Sequence, residues 1–123
     1  MSELQGVVVC HGSIASALVE AAEQISGVRG VLKPVSNSGC DRGALEARIL
    51  EAVGDRDTVV FVDMAAGSCL IAVLARLRER SNVKVVTGVN LAMLVDFVFH
   101  LSQTPDAAAS RAAAAGERAI KVP

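Results

Sequence analysis

Thr58 to Ser68 reads TVVFVDMAAGS. Its first half, Thr58–Asp63, is a β-branched run with no polar face, the pattern of a strand covered on both sides. Its second half, Met64–Ser68, is a turn of small residues. It opens a helical pattern through about Arg80, with Leu70, Val73, Leu74 and Leu77 facing inward. Arg76, Arg78 and Arg80 crowd the last turns, where cations suit the negative helix end. The same sequence of events occurs at the start of the chain. Gly6–Cys10 (GVVVC) runs into His11-Gly12-Ser13, and then Ile14, Leu18, Ala21, Ala22 and Ile25 recur at helical spacing. Ser13 is placed to cap that helix and Gly27 to stop it.

Working outward, two weaker units complete the pattern. Val31–Val35 fits a strand that Pro34 moves towards a sheet edge, and Asp41–Val53 is amphipathic with Leu45, Ile49, Ala52 and Val53 on one face. Lys84–Gly88 is a fourth strand, and Asn90 caps a helix running to about Ser102. Pro105-Asp106 starts an alanine-rich helix that stops near Gly116, and Ala119–Val122 has the composition of one last short strand. Four rounds of strand and helix argue a three-layer α/β fold, a mainly parallel four-stranded sheet with helices on both faces. The unbroken pattern reads as a single domain over residues 1–123.

Composition narrows the function. Alanine and valine supply 39 of the 123 residues, and hydrophobic residues make up 52%, which excludes a disordered chain. Aromatic residues are 2% and the net charge is −1, so neither stacking platforms nor a basic footprint point to nucleic acid or to an anionic membrane. The apolar run Leu91–Leu101 is shorter than the ~20 residues a spanning helix needs and carries Asp96 and His100. The start, MSELQ, places Glu3 where a secretory signal requires a basic region. Three widely spaced cysteines, Cys10, Cys40 and Cys69, form no CxxC and read as small thiols of a reduced, cytoplasmic protein.

In open parallel sheets the ligand crevice lies outside the carboxyl ends of the strands, where the strand order reverses. Strand-ending residues are therefore the ones to weigh. Of the two histidines, His100 lies in an apolar helix and reads as structural. His11 directly follows the first strand, with a glycine behind it and a helix start ahead. A helix N-terminus offers unpaired N–H groups to a phosphate and disfavours a protonated imidazole, which leaves the ring neutral and nucleophilic. Asp63, at the end of the third strand, stands ready to accept a bond from one ring nitrogen, as an aspartate does for histidine in serine-protease triads. Gly67 and Ser68 would supply the other half of a phosphate cradle, with Gly12 and Ser13 on the His11 side. Residue types alone leave a second reading open, in which His11 is a satisfied turn histidine and Asp63 a helix cap.

Cys10-His11-Gly12, Phe61-Val62-Asp63 followed by Gly67-Ser68, Gly88-Val89-Asn90-Leu91 with Met93-Leu94, and Gly116-Glu117-Arg118 together resemble the mannose-family enzyme IIA component of the bacterial phosphoenolpyruvate-dependent sugar phosphotransferase system. The resemblance runs from about Gly6 to Val122. It implies that His11 takes a phosphoryl group on Nε2 from the histidine-containing phosphocarrier protein and passes it to a IIB component for mannose- or fructose-type uptake. It implies that Asp63 orients the ring and that Ser68 lies beside the phosphoryl site. It further implies a homodimer in which the last strand, Ala119–Val122 here, is antiparallel and exchanged with the partner. No cofactor or metal is implied, a fused IIB domain is not expected, and the membrane is expected to be reached only indirectly through transporter components.

The chain departs from the family pattern at three places. Ala66 stands for a usual glycine, Cys69 for the proline after Ser68, and Ala92 for a proline in the later motif. Cys69 puts a thiol at a helix N-terminus, where its pKa is expected to fall. These departures leave the partner and the sugar route open, including a regulatory phosphoprotein not coupled to transport. A different class of function, a thiol or metal site built from Cys10, His11, Cys40 and Cys69, is the remaining alternative, although the spacings match no zinc pattern. A plain small-molecule-binding module finds no nucleotide motif to support it.

Overall fold

The computed structural model describes residues 4–123, so the acidic start read at Glu3 lies outside the described residues. The chain alternates β1 (Gln5–Cys10), α1 (Ile14–Ser26), β2 (Leu32–Ser36), α2 (Arg42–Val53), β3 (Thr58–Val62), α3 (Ser68–Leu77), β4 (Val83–Thr87), α4 (Leu91–Val98) and α5 (Pro105–Arg118). The four strands form one parallel sheet in the order β2-β1-β3-β4. Pro34 sits in β2, an edge strand, where its missing N–H costs least.

Both faces of the sheet are apolar, which is why β1 and β3 carry no polar side. Val8, Cys10, Val59 and Phe61 point to a core completed by α1, α4 and α5. Val7, Val9, Val60 and Val62 point the other way, to a core completed by α2 and α3. Phe61 meets Phe97 edge to face, with centroids 5.1 Å apart. Gly6 makes room for that pair: a Cβ there would lie 2.6 Å from Leu32 Cδ2 and 3.0 Å from a Phe97 ring atom. At the opposite end of the sheet Gln5, fully buried, donates from Nε2 to the Val53 carbonyl and to Thr58 Oγ1 at 2.8 and 3.0 Å. The bonds offset the cost of burying its amide.

Several expected boundaries move. On α1 the buried residues are Ala15, Val19 and Ala22, while Ile14 and Ile25 are 47% and 62% exposed. The stripe that faces the sheet is thus one residue on from the stripe of largest side chains. On α3, Leu70 and Leu74 are only half-buried, and Cys69 and Ala72 join Val73 and Leu77 inside. Helix α4 stops at Val98, four residues early, because its end tightens. Phe99 and His100 donate backbone N–H groups to the Asp96 and Phe97 carbonyls three residues back. His100 Nδ1 also donates to the Asp96 carbonyl at 2.8 Å, a second bond to an acceptor at the helix end. Helix α5 continues through Gly116 to Arg118, with Asn90 Nδ2 donating to the Gly116 carbonyl at 3.0 Å. Residues 119–123 form no strand within this chain. Ala119 and Ile120 instead donate to the Gly116 and Glu117 carbonyls, so the segment closes the helix rather than pairing with either sheet edge.

Candidate active site

Strand order reverses between β1 and β3: α1 leads away from β1 to one edge, and α3 leads away from β3 to the other. The parallel register pairs Val9 with Val62, so the chain leaves both strands at the same level. His11 and Asp63 are the residues placed there, 52 positions apart in sequence. This is the crevice position of an open α/β sheet.

One carboxylate oxygen organises the site. Asp63 Oδ2 accepts from the His11 backbone N–H at 2.9 Å and from His11 Nδ1 at 2.8 Å. Because Oδ2 is an acceptor, Nδ1 carries a ring proton, and in the neutral ring the lone pair is therefore on Nε2. Burial acts to raise the Asp63 carboxyl. The bonds from the His11 amide and ring, with the attraction of the ring when protonated, outweigh burial and hold the pKa below the ordinary 3.8. The His11 side chain is 38% exposed and Asp63 only 11%, so Nε2 is reached from solvent while the orienting carboxylate is not.

The turn before α3 closes over the ring. Gly67 has φ +102° and ψ −178°, a region that only glycine occupies without strain. A Cβ on it would sit 3.7 Å from His11 Cε1, so the Gly67 backbone lies against the imidazole. Ser68, the first residue of α3, holds Oγ 3.4 Å from Nε2. Nε2 therefore faces a hydroxyl and the start of a ten-residue helix, a setting that favours an anion.

Of the other residues expected in the cradle, Ser13 occupies the cap position of α1 without a side-chain bond to the helix. The Gly12 amide is already engaged: it donates to Asn37 Oδ1 at 3.1 Å. Ser36 Oγ donates to the Gly12 carbonyl at 2.6 Å, and Arg48 Nη1 holds the Ser36 and Ser38 carbonyls at 3.0 and 3.1 Å. The loop after β2 thus pins the turn that carries His11. Ser36 directly follows the expected strand Val31–Val35. Asn37 was not singled out, since an Asn in a Ser-Asn-Ser-Gly stretch looks like ordinary turn chemistry.

The cysteines behave otherwise than a helix N-terminus alone predicts. Cys69 is fully buried, with Sγ 3.8 Å from His11 Nδ1. Burial first, and then the Asp63 charge, push its thiol up to about 11, against a weaker opposing bond from Ser68. Burial, Asp63 and Cys69 push Cys10 to about 12. Neither is an activated thiolate. Cys40 lies apart in the β2–α2 loop, its Sγ donating to the Asn37 carbonyl at 3.1 Å.

Comparison with known proteins is consistent with this geometry. A family model described as the fructose IIA component of the phosphotransferase system matches residues 5–115. No curated protein matches the chain. Among solved structures, the fold is similar to a phosphotransferase-system component EIIA from Streptococcus agalactiae, at TM-score 0.88 and 19% identity, covering 97% of this chain and 96% of that one. It is also similar to the mannose/sorbose-specific IIA subunit from Enterococcus faecalis, at TM-score 0.83 and 20% identity over 99% and 96% of the two chains. A IIA protein associated with the fucose utilization operon of Streptococcus pneumoniae matches at TM-score 0.84 and 19% identity, covering 97% and 92%.

Proposed function

The chain belongs to the fructose/mannose-type IIA component family of the phosphotransferase system, and we propose that within this family role His11 is the residue that carries the phosphoryl group, on Nε2. The protein is a phosphocarrier of that system. The observation that supports His11 is its tautomer: Nδ1 donates to Asp63 Oδ2 at 2.8 Å, which leaves the Nε2 lone pair beside Ser68 and the α3 N-terminus. Nucleophilic attack forms the Nε2–P bond as the donor's N–P bond breaks. The ring keeps its Nδ1 proton throughout and becomes cationic, so Asp63 compensates the charge that develops. Transfer onward reverses these steps.

The donor is the histidine-containing phosphocarrier protein and the acceptor a IIB component, with sugar uptake as the outcome. The whole chain, residues 1–123, acts as one cytoplasmic IIA domain. No helix among the described residues is long and apolar enough to cross a membrane. A homodimer fits the exposed apolar groove of about 590 Å³ between α1, α4 and α5, lined by Ile25, Leu91, Val95 and Phe99, and the exposed Ile120 and Val122 beyond α5.

Incubation with phosphoenolpyruvate, enzyme I and the phosphocarrier protein of the same host should put acid-labile, base-stable phosphate on the chain. His11→Ala should take up none; labelling equal to wild type would end the assignment. Deleting residues 119–123 should weaken the dimer in analytical ultracentrifugation, and a full-length monomer at micromolar concentration would remove the dimer from this reading.

A further inference from the structure

The carboxylate and imidazole that carry the proposed phosphotransfer have a third neighbour, which that chemistry does not use. His11, Asp63 and Cys69 each offer one ligand atom, and the three atoms lie within 4.8 Å of one another. They come from three separate places in the fold: the residue after β1, the residue after β3, and the first turn of α3. The grouping differs from the one weighed on sequence grounds, since Asp63 takes the place of Cys10 and Cys40. Cys69 is also a departure of this chain from the family pattern, which has a proline there. From this geometry we infer that His11 Nδ1, Asp63 and Cys69 Sγ form a binding site for a divalent zinc-class cation, and that its occupation switches the phosphocarrier off.

The distances test the idea. Tetrahedral zinc, with bonds of about 2.0–2.3 Å, sets its N, O and S ligands about 3.3–3.6 Å apart. Here Nδ1 to Sγ is 3.8 Å and Nδ1 to Asp63 Oδ2 is 2.8 Å. Each of these two needs to change by about half an ångström or less to match that spacing, and the third, carboxylate to Sγ and within 4.8 Å, by up to about 1.5 Å. Asp63 Oδ1 is in addition buried with no hydrogen-bond partner, an acceptor that coordination through both carboxylate oxygens would satisfy. Charge fits as well. A dication with one carboxylate, one thiolate and a neutral imidazole is neutral overall, which suits a position shielded by the fully buried Cys69. A mixed N, O, S donor set is typical of zinc, and three protein ligands leave a fourth position for water.

The switch follows from proton accounting. The cation takes the place of the proton that Nδ1 now donates to Asp63. The neutral ring then carries its proton on Nε2, and the Cys69 thiol releases one proton to solvent. Nε2–H has no lone pair for phosphorus. The inhibitory half of the inference rests on the phosphocarrier reading of His11; the binding half does not.

The two halves separate in one experiment. Full-length protein, reduced and freed of metal with a chelator, is titrated with zinc against a chromophoric competitor. One zinc per chain is expected. Cys69→Ala should weaken binding by more than the roughly 10–100-fold that loss of an outer-shell partner costs, while Cys40→Ala should bind as wild type does. Cobalt in place of zinc should give a thiolate charge-transfer band in wild type that Cys69→Ala lacks. Sub-stoichiometric zinc, or Cys69→Ala within threefold of wild type, overturns the site. Phosphoryl transfer is then followed from pre-phosphorylated donor protein. Zinc should stop wild type, chelator should restore it, and Cys69→Ala should be labelled equally with and without the metal. Wild type labelled at full rate while zinc-loaded overturns the switch. Wild type that stays unlabelled in chelator overturns the His11 reading instead, and the zinc stoichiometry still decides the site.

Discussion

Asp63→Asn isolates the charge of the orienting group from its shape. In the structure a single oxygen, Oδ2, accepts both the His11 amide and the His11 ring proton. An amide oxygen can accept the same two bonds, so ring orientation and tautomer survive the change. What disappears is the negative charge 2.8 Å from Nδ1 at the moment the ring turns cationic. A hydrogen bond to a charged group is worth about 1.5–3 kcal/mol against about 0.5–1.5 for a neutral one. The difference, about 1–1.5 kcal/mol, is about 5–13-fold in rate. Because the His11 side chain is 38% exposed, water screens part of the interaction and draws the expected slowing towards fivefold. The assay is single-turnover transfer from phosphorylated donor protein, with urea unfolding run beside it. Asp63→Ala is the control for geometry: it also orphans the His11 amide and should cost about 1–3 kcal/mol of stability beyond the cost of Asp63→Asn. A transfer rate for Asp63→Asn within twofold of wild type, in a natively folded variant, refutes the electrostatic role. A loss beyond a thousandfold refutes the claim that orientation survives.

The depressed Asp63 pKa predicts a pH signature: its contribution to stability is complete above the unfolded value of 3.8 and is lost as pH falls through the lower folded value. The stability gap between wild type and Asp63→Asn in urea should close as pH falls below 3.8; a gap that is unchanged there contradicts the assignment. A thiol with pKa about 11, as at Cys69, is about one part in a thousand thiolate at pH 8, and Cys69 and Cys10 are both fully buried. Alkylation of native protein should therefore modify Cys40 first and the other two only on unfolding, which peptide mapping checks. Gly67→Ala places a side chain at φ +102° and should cost about 1–3 kcal/mol in urea unfolding; a stability equal to wild type would mean the turn is not held in that conformation.

The alternation of elements and the His11–Asp63 pair were legible because each rests on a strong local signal. A β-branched run with no polar face has few alternatives to a central strand, and a polar residue that ends such a run has nowhere to go but the sheet rim. The α1 stripe was less legible for the opposite reason. With apolar residues around most of the helix, two neighbouring stripes compete, and the choice of Ala15, Val19 and Ala22 is made by the close approach of α1 to the sheet, which small residues permit. Cys69 shows a second kind of limit. Its place at a helix N-terminus was readable, but burial and the nearby Asp63 charge decide its acidity, and both are properties of the assembled fold. The engagement of Gly12 by Asn37 joins residues from two different loops, a pairing that no local pattern announces.

The 52-residue separation of His11 from Asp63 has a consequence in time. At synthesis rates of about 5–20 residues per second, the imidazole precedes its carboxylate by roughly 3–10 s. Nor does the pair meet until β3 has docked beside β1. A copy in which those two strands have not yet paired therefore lacks the oriented ring on which the proposed phosphotransfer depends.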